Sequence, residues 1–406
     1  MRQLLWAREI FQFVRAYCGC KSAPMTTPHA PLDPPARLLC GPGPTNVDPA
    51  ALVAMQAPML GHLDPDFHDI ALELVDMLRT VYRASDAVVF PLQSTGTSGM
   101  ETGLVNLLEP GDTAIIAVSG FFGARIVEMA RRHGIDVVEV TADWGEHVPN
   151  ERLLEALEEH PSARLLAVVH GETSSGVEHP LQELGAAMEG RDTLLMADCV
   201  TTLGGVELDI SGWGVDFAYS CTQKCMGAPP GMSPLAVSPR AMERSRSRKV
   251  PVPFSFDLDL LEKYWLKRPI TYHHTAPILH IYALYEVLRE TLEEGIEDRQ
   301  QRHAAAGAHL QERICTMGLE LLADPEVQLA PLTAIRVPAG VDGKSVQTRL
   351  LREFDIEIGG GLGPLAPAMW RIGLMGPNAT VETAGRVADA LEQVLDADRT
   401  AVASAR

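Results

Sequence analysis

Short apolar runs alternate along most of the chain with longer stretches in which apolar residues recur every three or four positions. The first pattern predicts buried strands and the second amphipathic helices. The stretch Phe67 to Arg83 places Ile70, Leu74, Met77, Leu78 and Val81 on one stripe and is read as a helix. A strand at 87–90 follows, then strand–helix pairs at 113–118 with 123–133, 136–141 with 151–158 and 164–170 with 180–188, and a strand at 193–198. Strands and helices in alternation predict an α/β fold with a mostly parallel sheet covered on both faces. A long helix from Pro277 to Glu294 stops at Gly295, and the texture then changes over Ile296 to Met317, rich in Gln, Arg, His and Ala. Short strands at 332–337 and 369–374 and helices at 344–353 and 380–395 predict a smaller C-terminal α+β domain. The expected division is an N-terminal extension over 1–30, a large domain over 31–295, a small domain over 296–398 and a flexible tail over 399–406.

Composition narrows the class. A chain of 406 residues, 46% hydrophobic and 21% charged, is long enough for two domains with real cores. A net charge of −19 argues against nucleic acid and an anionic membrane as partners, though not against a small anionic substrate. No run of 18 or more apolar residues suggests a membrane span. The seven cysteines lack CxxC spacing and read as reduced thiols of an intracellular enzyme, cytoplasmic in location. A metal site from Cys221, Cys225 and the pair His273-His274 lacks a matching second ligand pair, so none is expected. Residues 1–24 are basic and amphipathic, which fits either a transit segment, and then a mitochondrial address, or an over-long start before Met25.

The chemistry centres on Lys224. The chain has six lysines against 28 arginines, and five of the six sit in polar or terminal stretches. Lys224 instead follows the strand-like run 217–220, among small and apolar residues with no nearby acid. Such a lysine is pushed toward its neutral amine, a nucleophile suited to a Schiff base with an aldehyde cofactor; a solvated loop lysine is the plainer alternative. If the cofactor is pyridoxal phosphate, a carboxylate for its ring nitrogen, a phosphate cradle and a stacking surface should be present. Asp198 ends the apolar run 194–198, where a strand-ending or capping acid is the other reading. Residues 94–101, Ser-Thr-Gly-Thr-Ser-Gly-Met-Glu, stand between a strand and a helix, as an anion-binding helix N-terminus does and as an ordinary capped loop also does. Phe121-Phe122 at another strand end offers a stacking face or simply core. Arg371, inside the apolar run 369–374, must find an anion. That anion is a substrate carboxylate or an internal partner, Glu357 or Asp355.

These features stand in an order that resembles the class V, fold-type I pyridoxal-phosphate aminotransferases of the alanine–glyoxylate and serine–glyoxylate group. The resemblance runs from about Leu38 to Leu395. It rests on Gly41-Pro42-Gly43-Pro44-Thr45-Asn46, Gly61-His62-Leu63-Asp64-Pro65, the 94–101 segment and residues 104–112. It continues through residues 170–176, Asp198, Gly204-Gly205, Gln223-Lys224, Tyr272-His273-His274-Thr275 and the glycine-rich 359–364 leading to Arg371. It implies a seven-stranded, mostly parallel sheet and a homodimer with active sites shared across the interface. By the resemblance Lys224 is the Schiff-base lysine and Asp198 the ring-nitrogen partner. Thr95, Gly96 and Gln223 contact the phosphate. Thr97 stands where some members have histidine. Phe122 replaces a stacking tryptophan and Thr173 a serine near the ring hydroxyl. Tyr272 and Thr275 reach the neighbouring subunit's cofactor phosphate, and Arg371 binds the substrate carboxylate.

The activity implied is ping-pong transfer of an amino group from alanine or serine to glyoxylate or another small 2-oxo acid. An (S)-ureidoglycine–glyoxylate aminotransferase is the alternative within the family, although this chain keeps His62 and His274, which such relatives tend to alter. A cysteine desulfurase is disfavoured because 340–363 contains no cysteine. A non-catalytic nucleotide-binding protein would use the 94–101 loop, which has neither GxGxxG nor Walker spacing.

Overall fold

Apolar runs without alternation become the central strands of a sheet buried on both faces. The computed structural model describes residues 31–404, without the side chains of 398–404. The chain divides into two units, 1–36 and 37–406. Of the first, only 31–36 are described and they carry no regular element, so both readings of residues 1–24 fall outside the described residues.

In the second unit the elements relevant here are α1 (Pro49–Ala54), α2 (Pro65–Val81), β1 (Val88–Leu92), α3 (Gly96–Leu107), β2 (Thr113–Val118), α4 (Phe121–Arg132), β3 (Asp136–Thr141) and α5 (Asn150–Glu159). They continue as β4 (Leu165–Val169), α6 (Leu181–Ala187), β5 (Leu194–Asp198), β6 (Phe217–Tyr219), β7 (Ser233–Val237), α7 (Pro239–Arg246), α8 (Leu258–Leu266) and α9 (Ile278–Glu294). Last come α10 (Ile296–Thr316), β8 (Leu332–Arg336), α11 (Gly343–Glu353), β9 (Gly359–Gly360), β10 (Met369–Gly373) and α12 (Val381–Ser404). The expected helix at 380–395 thus runs on to Ser404, through a segment with no Gly or Pro to stop it, where a flexible tail was expected from 399.

The main sheet has seven strands in the order β1-β7-β6-β5-β4-β2-β3, and β7 alone is antiparallel to its neighbours. Every residue of β4 and β5 is buried, while the edge strand β3 is largely exposed or half-buried. Between Cys199 and Lys224 the chain forms one strand, β6, and 199–216 fold as turns and irregular backbone. Two prolines face each other where β1 and β7 pair, Pro91 opposite Pro234. Pro91 lies on an edge strand, where proline is tolerated. Pro234 lacks the N–H that would bond Ser220 O, and the Ser233 hydroxyl supplies that bond instead at 2.7 Å. The parallel strands all point their carboxyl ends to one edge, the edge where open α/β sheets place ligands. Leu92, Val118, Val169, Asp198 and Tyr219 end there.

A second, antiparallel sheet has the order β8-β10-β9. Its hydrophobic cluster joins Leu310, Ile314, Ile335, Val346, Leu350, Trp370, Ile372 and Leu391, and includes Cys40 from the other end of the chain. Leu38 and Leu39 pair in parallel with Ile356 and Glu357, a long-range contact that no local pattern announces.

Gly295 joins α9 to α10 at a φ of +91°, a conformation that favours glycine. The first turns of α10 brace the loop that follows β6. Buried Arg299 donates to Gly204 O (3.1 Å), Cys225 O (2.9 Å) and Met226 O (3.3 Å) and pairs with Glu294 (2.9 Å). Arg302 bonds Glu294, Gly376 O and Ala379 O. His303 Nδ1 donates to Arg299 O (2.8 Å), and its Nε2 accepts from Gly376 N (3.1 Å). Protonation of Nε2 would break that last bond. Burial, with help from Arg299 and Arg302, lowers the His303 pKa to about 3. A folded pKa below the unfolded one, ordinarily about 6.5, gives stability that is present above pH 6.5 and lost as pH falls toward 3. In urea melts between pH 7 and pH 5, wild type should therefore lose about 2 kcal/mol more than His303→Gln, whose amide oxygen accepts at either pH. Equal losses in the two proteins would sink this account.

Candidate active site

Lys224 lies in the loop after β6, at the carboxyl edge of the sheet. It is 8% exposed, and its Nζ donates to the carbonyl of Pro42. Among the described residues it forms no ion pair. Burial lowers its pKa, and the positive charge of Arg371 acts in the same direction. Cys221 and Cys225 stand close, but burial pushes both thiols up to about 12, so they stay neutral and cannot hold the ammonium form. The Gly43 backbone crosses directly over the lysine stem. A Cβ there would come within 2.6 Å of Lys224 Cδ and Cε and 2.9 Å of Nζ, at a φ of +109°. Thr45 N bonds Gln223 O at 3.0 Å, so the 41–46 segment holds the lysine loop from one side while Arg299 holds it from the other.

Asp198 ends β5 beside Tyr219 in the sheet register. It is 3% exposed, accepting from Tyr219 Oη at 2.7 Å and from Val200 N at 2.9 Å. The bond to Val200 is a local turn contact at the strand end; no helix follows for it to cap. Burial raises its pKa to about 6 against the pull of those two bonds. Among the described residues no cation pairs with it, which leaves it ready for a cationic ring nitrogen.

The 94–101 segment opens α3. Thr95 is the N-cap, accepting from Ser98 N at 3.3 Å, and Gly99 N bonds Thr95 O at 3.0 Å. The amides of Gly96 and Thr97 find no acceptor in the chain among the described residues. Two free N–H groups at the positive end of a helix form an anion site. Gly96 is required by packing, since a Cβ there would meet Val200 Cγ2 at 2.9 Å. Gln223 Oε1 is buried with no partner, an amide awaiting a ligand. Lysine, carboxylate, free helix amides and orphaned amide together fit an aldehyde cofactor bearing a ring nitrogen and a phosphate.

Phe122 is half-buried at the start of α4. The Arg125 guanidinium sits 4.9 Å from its ring centre and 5.0 Å from that of Phe121, and Arg125 Nη1 is 3.4 Å from Thr97 Oγ1. Arg125, one turn along a helix, carried no sequence signal of its own. Its cation joins the cradle to the aromatic pair.

Thr173 is buried, and its backbone oxygen accepts from Arg371 Nη1 at 3.1 Å. Arg371 Nε donates to Gly360 O at 2.7 Å. In β10 this arginine stands between Ala334 and Gly359, small neighbours that leave room for a guanidinium. Neither expected internal acid reaches it: Asp355 pairs with Arg37, and the Glu357 side chain is exposed. Burial lowers its pKa to about 10, against the pull of the Glu172 carboxylate. Two carbonyls orient the fork, and its other N–H groups remain for a carboxylate.

Tyr272 and Thr275 are not drawn into this group. Tyr272 is 62% exposed, its ring centroid 5.6 Å from that of His62, and Thr275 is exposed.

The aminotransferase class V family model matches residues 54–383. The chain belongs to the class V aminotransferases. It is 38% identical over 369 residues to alanine–glyoxylate aminotransferase of Rattus norvegicus, covering 90% of this chain and 89% of that one. It is 36% identical over 380 residues to (S)-ureidoglycine–glyoxylate transaminase of Bacillus subtilis, covering 89% and 91%. The crystal structure of an alanine–glyoxylate aminotransferase from Nostoc sp. superposes with a TM-score of 0.88 at 45% identity, covering 91% of this chain and 98% of the other. In this aminotransferase the fold is therefore fold-type I, and the strand ends and loops above are the parts to which its chemistry is to be assigned.

Proposed function

We propose that this enzyme uses pyridoxal 5′-phosphate to move an amino group from a small amino acid, alanine or serine, to glyoxylate or another small 2-oxo acid. The observation that carries the reading is, among the described residues, a buried lysine without an acid partner, set close to a buried carboxylate and to an arginine bonded to two carbonyls. When bound, the cofactor supplies an electron-accepting ring conjugated to the reacting carbon. Lys224 Nζ would hold the cofactor aldehyde carbon covalently and, once displaced, carry the proton of the substrate α-carbon. Asp198 would keep the ring nitrogen protonated. The Gly96 and Thr97 amides, with Thr95 and Gln223, would hold the phosphate. Phe122 would cover the ring, Thr173 Oγ1 would bond its hydroxyl, and Arg371 would take the substrate carboxylate. The Gly43 and Gly359 segments, backbone against backbone, support a small substrate.

A visible spectrum of the purified protein tests this. The protein should be yellow, and its band should bleach with alanine or serine and return with glyoxylate. A colourless protein that pyridoxal phosphate does not colour would sink the reading. Bleaching by (S)-ureidoglycine but not by alanine would move the donor to the ureidoglycine type.

The same reading includes a homodimer. Leu52, Val53, Met59, Leu63, Phe254 and Tyr272 leave large apolar surface exposed. His62 Nε2, His274 Nε2 and Trp265 Nε1 are buried without partners among the described residues in the region behind Tyr272. Both features support a second chain covering this face, with Tyr272 and Thr275 completing its neighbour's cradle. Sedimentation should give a dimer. Mixing inactive Lys224→Ala with inactive Tyr272→Ala/Thr275→Ala should restore part of the activity, because each hybrid dimer keeps one intact site. An active monomer would contradict the assembly.

A further inference from the structure

Helix α4 begins without a cap of its own. Its N-cap residue is Gly120, which has no side chain to accept the first amides. Those amides are satisfied from residues some fifty positions later. Phe121 N bonds Ser174 Oγ at 2.9 Å, Phe122 N bonds Glu172 Oε2 at 3.0 Å, and Gly123 N reaches the same oxygen at 3.2 Å. Ser174 closes the set: its Oγ donates to Glu172 Oε1 at 2.5 Å and its N at 3.0 Å. Gly120 is what admits the carboxylate, since a Cβ there would come within 2.6 Å of Glu172 Cγ and Cδ.

Glu172 is 1% exposed and forms no ion pair among the described residues. Burial pushes its pKa up. Four donors and the positive end of α4 favour the ionised form, and a proton on either oxygen would face a donor. So costly a group is out of proportion to capping one surface helix, a task a serine at position 120 performs. Its neighbours explain it. The helix it holds presents Phe122, and the next residue, Thr173, carries both the hydroxyl assigned to the cofactor ring and the carbonyl that orients Arg371.

We propose that Glu172, with Ser174, is a positioning residue that sets Phe122 and Thr173 in register with the bound cofactor and, through Thr173 O, with Arg371. The inference rests on the pyridoxal-phosphate reading and adds to it a residue that touches neither cofactor nor substrate. Glu172→Gln keeps the shape but turns an NH2 toward backbone donors.

The test uses apoenzyme and holoenzyme of wild type and Glu172→Gln. Pyridoxal phosphate is titrated into the apoenzyme, and the visible circular dichroism of the bound cofactor is recorded. The variant should bind about 10- to 100-fold more weakly, lose most of the visible dichroism, and show a raised KM for both amino and oxo acid. Hydrogen exchange of the peptide spanning 120–124 should quicken. Wild-type affinity, dichroism and KM alongside quickened exchange would overturn the proposal and leave a helix cap. If Glu172→Gln fails to fold, Ser174→Ala, which breaks the relay but keeps the carboxylate, decides by the same measures: weaker binding with reduced dichroism supports the proposal, and wild-type values overturn it. A wild-type apoenzyme that takes up no pyridoxal phosphate would overturn the functional reading instead, and this inference with it.

Discussion

Lys224→Ala should reduce kcat by about 10,000-fold or more while the protein still folds and still takes up pyridoxal phosphate weakly. The reason lies in the burial of one amine. A lysine that is 8% exposed and, among the described residues, donates to Pro42 O alone and pairs with no acid is costly to keep charged. It is therefore available as a neutral nucleophile and proton carrier, and no other residue of the loop replaces it, because Cys221 and Cys225 are held protonated by burial. Asp198, the Gly96 and Thr97 amides and Gln223 remain in the variant, so cofactor should bind noncovalently with an altered visible band. Small primary amines added to the medium should restore a fraction of the rate by taking over the proton. The measurement is a single-turnover reaction with alanine, with and without added amine. Wild-type turnover in Lys224→Ala without any amine would refute the assignment.

Arg371→Ala should lower kcat/KM for amino acid and oxo acid alike, since both present the same carboxylate. Loss of a two-pronged charged hydrogen bond is worth roughly 2–4 kcal/mol, hence about 30- to 1,000-fold. The arginine is suited to this because its protein partners are carbonyls, Gly360 O and Thr173 O, which orient it without neutralising it. Arg371→Lys should recover little, for an ammonium cannot keep both carbonyls and also match two carboxylate oxygens. The visible spectrum should survive, because this side chain bonds Gly360 O and Thr173 O and neither Lys224 nor Asp198, the groups assigned to the cofactor's aldehyde carbon and ring nitrogen. Steady-state kinetics with alanine, and with an amine of similar size lacking the carboxylate, decide the point. Equal reactivity of the two in the wild-type enzyme would make Arg371 a structural residue and the substrate class wrong.

Where the candidate site residues sit in the fold is partly legible in the chain. Asp198 was legible because an acid closing an apolar run has few places to be except a strand end. Lys224 was legible because lysine is scarce here and this one has no acid beside it. Arg371 was legible because an apolar run gave its charge no local solvent. Glu172 was not. Within Gly-Glu-Thr-Ser-Ser-Gly it reads as one acid in a polar turn, and its partners Phe122 N and Gly123 N are fifty residues earlier. Tyr219 as donor to Asp198, and Pro42 O as acceptor for Lys224, were hidden for the same reason.

The order of strands and helices follows from the period of apolar positions, a property of neighbours in the chain, because burial of one face or one stripe is decided locally. The chemistry of the site residues likewise travels with their types. What the tertiary structure alone decided is which distant groups meet: the antiparallel insertion of β7, the pairing of Leu38–Leu39 with Ile356–Glu357, and the capping of α4 by Glu172 and Ser174. A hydrogen bond or a buried charge is satisfied by whatever the fold brings within about 3 Å, regardless of separation along the chain, and no local pattern encodes that distance.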